Sequence, residues 1–237
     1  MKTLVIHPPH LKERGEHIDR MLHNIGLDYE FVNEGNDEEH VKAYLEKYLR
    51  NGQEDMLRQV PRSLCTISHF LAYERIVSEG LEGALVLEDD ILLHSDFKPE
   101  FDRSIEEYSK NYQNRKIIIS YEDSPLWFVP RSKRQKGRML YPGYRDRLSG
   151  AYFINRNAAE AILEHLKIHK CDRAIDLYHY QIIEDKVIEY LWCHPTIATQ
   201  GTATGAFGSS LSKNRKRMRK LSWILQKNYK QLLYWFR

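Results

Sequence analysis

The sequence predicts an α/β protein, a mixed Rossmann-like sheet flanked by helices, followed by a basic amphipathic helical tail. Three observations carry that prediction. Short β-branched or apolar runs alternate with amphipathic stretches from Thr3 to Trp192, the pattern of a layered α/β body. One run, Gly83-Ala84-Leu85-Val86-Leu87, passes straight into Glu88-Asp89-Asp90, and apolar character resumes at Ile91-Leu92-Leu93. Composition then changes: residues 211–237 hold nine Lys or Arg and no acid, which leaves 27 bases against 33 acids in residues 1–210. An acidic body (1–210) with a basic tail (211–237) is the expected organisation.

Taken in order, Thr3–Ile6 reads as a first strand stopped by Pro8-Pro9. From Leu11 to Ile25, residues Leu11, Ile18, Met21, Leu22 and Ile25 share one helical face, and Gly26 ends the helix. Residues 28–32 form a second short strand. Residues 37–50 form a helix striped by Val41, Tyr44, Leu45 and Tyr48 and stopped at Asn51-Gly52. Ser63 is placed as the N-cap of a helix from Leu64 to Ser78, with Gly80 beyond its end. After the acids come a helix over 97–112 and a β-branched central strand, Lys116–Tyr121, that runs into Glu122-Asp123. Residues 127–147 are rich in Arg, Lys, Pro and Gly without periodicity, and are expected to form a mobile loop or lid with a basic rim. A strand over 149–154 follows, then a helix to Ile168 capped by Asn155 or Asn157. A helical or irregular segment begins at Arg173, and 187–192 reads as a late strand. Residues 199–210 are a Gly/Ser/Thr-rich loop, either a phosphate cradle or a linker.

The tail interleaves its bases with Leu221, Trp223, Leu225, Leu232, Trp235 and Phe236. That composition suits a helix lying in an anionic lipid surface. Its unbroken apolar end disfavours nucleic acid; docking on the body is the other option. Cys65, Cys171 and Cys193 are odd in number and in no CxxC spacing, which fits a reducing compartment without structural zinc. No signal-peptide core precedes Pro8, so a cytoplasmic protein is expected.

Three adjacent carboxylates repel one another, so their clustering at a strand end calls for a cation. Mg²⁺ or Mn²⁺ bound by carboxylate oxygen also grips phosphate, and ligands of open α/β sheets gather at the carboxyl ends of strands. A solvated acidic turn is the competing reading, weakened by the apolar residues that resume at Ile91. His69, within an apolar helix, is either a satisfied core histidine or a site residue. Arg14 and Arg20 are either surface ion-pair partners or phosphate contacts.

Together these stretches resemble the bacterial lipooligosaccharide glycosyltransferases of family 25. The residues that carry the resemblance are Leu4-Val5-Ile6 with Glu13-Arg14, Ser68-His69 with Ala72-Tyr73, Gly80, and Leu85 to Asp90. Downstream they are Gly150 to Arg156, Ile175-Asp176, and Pro195 with Thr199-Gln200. The resemblance spans residues 3–210. It implies a GT-A-like fold, a UDP-sugar donor (most often UDP-galactose), a Mn²⁺ or Mg²⁺ cofactor and inverting transfer onto a growing glycolipid. Such an enzyme would work as a peripheral protein at the inner face of the bacterial inner membrane. On this footing Asp90 is the expected main metal ligand, joined by Glu88. Arg14, His69, Glu88, Asp89, Asp90, Gly150 and Gln200 are the expected donor contacts. Asp176 is the expected general base, with Asp123 and Asp172 as alternatives. Two departures stand out: Gly15 follows Arg14 where a second Arg is common, and His7-Pro8-Pro9 replaces the usual Asn/Ser-Leu. His194 is the candidate for a late metal-binding histidine. A metal-dependent phosphoester hydrolase or nucleotidyltransferase, and a non-catalytic membrane- or nucleic-acid-binding protein, are the alternative functions.

Overall fold

The computed structural model describes residues 1–33, 38–50, 60–207 and 216–236. In chain order these form β1 (Lys2–Ile6), α1 (Lys12–Asn24), β2 (Tyr29–Val32), α2 (Glu38–Tyr48), α3 (Val60–Ser78), β3 (Gly83–Glu88), β4 (Ile91–Leu93), α4 (Phe97–Asn111) and β5 (Ile117–Ser120). A 3₁₀ turn (Arg131–Lys133) leads to β6 (Leu140–Pro142), β7 (Ala151–Asn155), α5 (Arg156–Ile168), α6 (Ile175–Glu184), β8 (Glu189–Cys193), β9 (Ala198–Gln200), the short α7 (Gly201–Thr204) and α8 (Lys216–Trp235).

Seven strands make one sheet in the order β2-β1-β3-β7-β5-β8-β6. Strand β3 runs parallel to β1 and antiparallel to β7, while β8 runs parallel to β5 and antiparallel to β6. This is the mixed, helix-flanked α/β sheet that the sequence predicts. Both faces of the central strands are buried, which is why they read as continuous apolar runs rather than alternating ones. The period of two still sorts their side chains. Leu4, Val86, Tyr152 and Ile118 join one core with Phe70 and Tyr73 of α3 and Ile162 of α5. Val5, Leu85, Leu87, Phe153 and Ile119 join the other, with Ile18 and Leu22 of α1 and Phe97 and Phe101 of α4. Outside the main sheet, β4 and β9 form an antiparallel ribbon that sets Ile91 opposite Gln200. The ribbon thereby brings a segment from late in the chain to the end of β3.

Some boundaries differ from those expected of the sequence. Helix α3 begins at Val60, so Ser63 is a buried residue inside it and not its cap; Pro61 is tolerated because it falls in the first turn. Asn155 does cap α5, its side chain accepting from Ala158 N at 3.0 Å. The stretch 127–147 is no lid. It supplies the edge strand β6, and Arg147 is fully buried, donating to Cys193 O at 3.0 Å and lying 4.3 Å from the Trp192 ring. Asp37, the Asn51-Gly52 stop and residues 208–215 lie outside the described residues.

Helix α8 docks on the body. Lys227 Nζ lies 2.5 Å from Asp123 Oδ2, and Asp123 is completely buried. Tyr234 packs on Leu126 and Phe128, with Trp223 at the margin, and the Arg131 guanidinium stacks 4.3 Å from the Trp235 ring. The opposite face leaves Leu221, Leu225, Tyr229, Leu232 and Phe236 exposed.

Breaking a buried pair strands the remaining charge, at about 3–5 kcal/mol; the Lys227 side chain is 21% exposed, which moves the expected cost of Lys227→Met to about 2–3 kcal/mol. The expected result is a lower urea midpoint and earlier proteolysis within α8, largely restored by adding Asp123→Asn. A single variant indistinguishable from the parent in both measurements would refute this anchoring role.

Candidate functional site

Three acids leave the end of β3 in different directions. Asp89 turns to the α1 side, where its carboxylate meets His7 Nδ1 at 2.9 Å and accepts from Arg14 Nη1 at 3.1 Å. Glu88 turns to the α3 side. Its Oε1 accepts from Ser149 Oγ at 2.9 Å and lies 3.5 Å from His69 Nε2, and its Oε2 accepts from Gln200 Nε2 at 3.3 Å. Asp90 begins the step into β4 and sits against α7: Thr202 N donates to Oδ2 at 3.3 Å, and Gly201 N to the Asp90 carbonyl at 2.7 Å. Its Oδ1 is buried and has no hydrogen-bond partner among the described residues.

Their electrostatics differ accordingly. Burial opposes ionisation of Glu88, but nearby His69, the hydrogen bond from Ser149 and the Arg14 charge outweigh it and hold the carboxyl below its ordinary value. Burial, reinforced by the Glu88 charge, pushes Asp90 up to about 6. A buried carboxyl in that condition is completed either by a proton or by a cation.

The structure gathers Arg14, His69, Glu88, Asp89, Asp90, Gly150 and Gln200 about this one strand end. Gly150 earns its place by close approach: its carbonyl accepts from Glu88 N at 2.8 Å, and a Cβ there would stand 2.7 Å from Glu122 Oε1 and 2.9 Å from Gln200 Cγ. Asp176 lies in the first turn of α6, raised by burial and by the charges of Asp146 and Glu88. The two departures noted in the sequence belong together. A Cβ at Gly15 would lie 2.7 Å from His7 Nε2, so the missing side chain at 15 is what lets the His7 ring reach Asp89.

The remaining candidates are engaged elsewhere. Asp123 takes Lys227 and accepts from Thr199 Oγ1 at 2.6 Å, an anchor for α8 and β9. Asp172 is held by Arg173 and Arg50, and the Arg173 hydrogen bond lowers it. His194 packs near Tyr141, and burial with the Arg134 and Arg147 charges lowers it to about 4. That cationic setting, without an acid beside it, is no place for a metal-binding histidine. Residues that the sequence did not place at the site are His7, Ser149, Thr202 and Glu122. Glu122 is fully buried, driven well above its ordinary value by desolvation, and it ties β5 to β7 through Ala151 N at 3.1 Å.

Only Asp90 among the three acids keeps a buried oxygen open, which fits a hard divalent ion completed by ligand oxygens and water. Asp89 does not fit that part, because His7 and Arg14 already engage its two oxygens.

The family model described as glycosyltransferase family 25 (LPS biosynthesis protein) matches residues 1–178. The match takes in Arg14, His69, the three acids, Gly150 and Asp176, and stops short of Gln200. The lipooligosaccharide biosynthesis protein lic2B of Haemophilus influenzae is 24% identical over 185 residues, covering 75% of this chain and 68% of that protein. Among solved structures, a glucose-1-phosphate thymidylyltransferase from Bacillus anthracis in complex with sucrose aligns over 96% of this chain and 95% of its own at 10% identity. Its TM-score of 0.41 is too loose to bear on the argument.

Asp90 sets a pH dependence. Its folded value of about 6 lies above the ordinary 3.8, so the folded state holds the proton more tightly. The stability this contributes is fully present below about pH 4 and is lost as pH rises through 6. Asp90→Asn is therefore expected to gain on the parent as pH rises from 4 to 7 without divalent ions, by on the order of 2–3 kcal/mol. Urea midpoints across that range measure it, and a constant difference would contradict the assignment.

Proposed function

The chain belongs to glycosyltransferase family 25 and is a glycosyltransferase of lipopolysaccharide biosynthesis, and we propose that it moves a hexose, galactose first among the candidates, from a UDP-sugar to a lipooligosaccharide or LPS acceptor with inversion, using Mn²⁺ or Mg²⁺. The observation that carries this reading is Asp90, buried and with one carboxyl oxygen open, at the carboxyl end of the central strand. A diphosphate leaving group accumulates negative charge as the glycosidic bond breaks. A dication held by Asp90, with Glu88 beside it, supplies Lewis-acid stabilisation worth several kcal/mol.

The chain's own residues do the rest. Arg14, fixed by Asp89, adds positive charge on the α1 side. His69 and Gln200 hold the two oxygens of Glu88 apart, which leaves its position at the strand end defined before any donor arrives. Gly150 keeps that floor open by having no side chain. Asp176 acts as the base: its raised affinity for a proton suits it to take one from the attacking sugar hydroxyl, assistance worth roughly 10²–10⁴ in rate.

Residues 1–210 are the catalytic body in this reading. Residues 211–237 attach it to anionic lipid through the exposed apolar face of α8, which makes the protein cytoplasmic and peripheral at the inner face of the inner membrane. No helix among the described residues is long and apolar enough to cross a membrane.

Asp90→Ala is expected to abolish the extra thermal stability that Mn²⁺ confers together with UDP, with circular dichroism unchanged; persistence of that increment would remove Asp90 as the ligand. Asp176→Asn should lower kcat about 10²–10⁴-fold while UDP binding stays near the parent value, and a smaller loss assigns the base elsewhere. In a stability screen of UDP-galactose, UDP-glucose, UDP-N-acetyl sugars and GDP- or CMP-sugars, each with and without Mn²⁺, UDP-galactose should give the largest metal-dependent shift. Leu225→Glu with Leu232→Glu should lower flotation with anionic vesicles and leave turnover of a soluble acceptor intact.

A further inference from the structure

We propose that Cys65, His69 and Glu88 form a binding site for a late first-row divalent ion such as Zn²⁺, on the α3 side of the acid cluster and sharing Glu88 with the hard-ion site at Asp90. The inference stands on these side chains alone and does not depend on the transfer reaction.

Cys65 and His69 are four residues apart on α3 and so share a face. That face meets the end of β3, and ligand atoms of Cys65, His69 and Glu88 all lie within 4.8 Å of one another. His69 is completely buried. Its Nδ1 pairs with Tyr152 OH at 2.7 Å, while Nε2 has no hydrogen-bond partner among the described residues and stands 3.5 Å from Glu88 Oε1.

A buried chain of hydrogen bonds extends from the other ring nitrogen. Tyr152 OH lies 2.8 Å from Tyr73 OH, which lies 2.7 Å from His179 Nε2; His179 Nδ1 is 2.5 Å from Asp146 Oδ2. Tyr190 OH donates to the other Asp146 oxygen at 3.0 Å. The metal-binding tautomer of His69 is compatible with this chain when its hydrogen bonds run toward Asp146. In that direction His179 Nδ1–H donates to Asp146, Tyr73 to His179, Tyr152 to Tyr73, and His69 Nδ1–H to Tyr152. A lone pair is then left on His69 Nε2, aimed at a carboxylate and a thiol. His69 Nε2 and Glu88 Oε1 stand 3.5 Å apart, close enough for one metal ion to bridge them. An imidazole that gives its other N–H to a hydrogen-bonded acceptor is also the usual arrangement of a metal-binding histidine.

Sulfur, imidazole and carboxylate together select zinc or cobalt over magnesium or manganese. Bond lengths of about 2.0–2.3 Å bring donors within about 4 Å of each other, so the three side chains close by roughly an ångström around the ion. The Cys65 thiol proton leaves to solvent as the sulfur–metal bond forms. Three protein donors leave a fourth position for water or for an oxygen of a ligand. Once filled, the site ties α3 to the end of β3 and occupies Glu88 Oε1.

The test uses the full chain without a histidine tag, stripped with a chelator and titrated with Co²⁺. One equivalent is expected to produce a thiolate-to-cobalt charge-transfer band that Zn²⁺ displaces. The band should be lost in Cys65→Ser and kept in Cys171→Ala and Cys193→Ala. Tyr152→Phe should keep the band while weakening Co²⁺ binding about 10–100-fold. Should Cys65→Ser fail to fold, protection of Cys65 from alkylation by Zn²⁺ in the native chain, read by peptide mass, decides the same point. Absence of the band in excess Co²⁺, a band that survives Cys65→Ser in a folded chain, or no protection by Zn²⁺ would overturn the proposal.

Discussion

Everything at the end of β3 follows from like charges that cannot separate along the backbone and so separate by direction. Strand alternation sends Asp89 to one face and Glu88 to the other, and the turn into β4 carries Asp90 toward α7. Each acid then meets a different part of the chain: His7 and Arg14, Ser149 and Gln200, or the amide of Thr202. The β4–β9 ribbon and the β3–β7 pairing are what make this division possible. A parallel neighbour in place of β7 would not bring the Ser149-Gly150 turn beside Glu88. The acid that receives the least neutralisation from the chain is the one best suited to an external charge.

The interior on the α3 side is unusually polar for a region between helices and a sheet. Tyr73, Tyr152, His69 and His179 are all fully buried, yet each finds partners within the chain of hydrogen bonds that ends at Asp146. Such a network is stable only when nearly every member is satisfied, because an unpaired polar group in the interior costs about 1–3 kcal/mol. It therefore fixes the relative placement of α3, β7 and α6 more narrowly than apolar contact would, and it does so directly behind Glu88.

Much of the fold was legible because it is local. The apolar run of β3, the β-branched run of β5 and the Asn155 cap each declare themselves within a few residues. The start of α3 did not, since Ser63 imitates a cap and Pro61 imitates a break, although proline in a first turn is compatible with both. The edge strand β6 is only three residues long, and its burial depends on Trp192 and Cys193, which arrive about fifty residues later. The cluster of acids could be read, and so could the arginine beside it. His7 could not: its partner lies 82 residues away, and the signal that it mattered was the absence of a side chain at Gly15. The Cys65–His69 spacing was visible as a helical i, i+4 pair, but a set of three scattered cysteines concealed it. Asp146 and His179 come from a loop and a helix with no shared pattern, and only the folded chain joins them.

The attachment of α8 ties two ends of the molecule together. Asp123 holds Lys227 with one oxygen and Thr199 with the other, and Gln200, next in the chain, touches Glu88. A continuous run of contacts thus leads from the last helix to the acid cluster. Because linkage is reciprocal, a change at the acid cluster that displaced Gln200 would also be felt where that helix is moored.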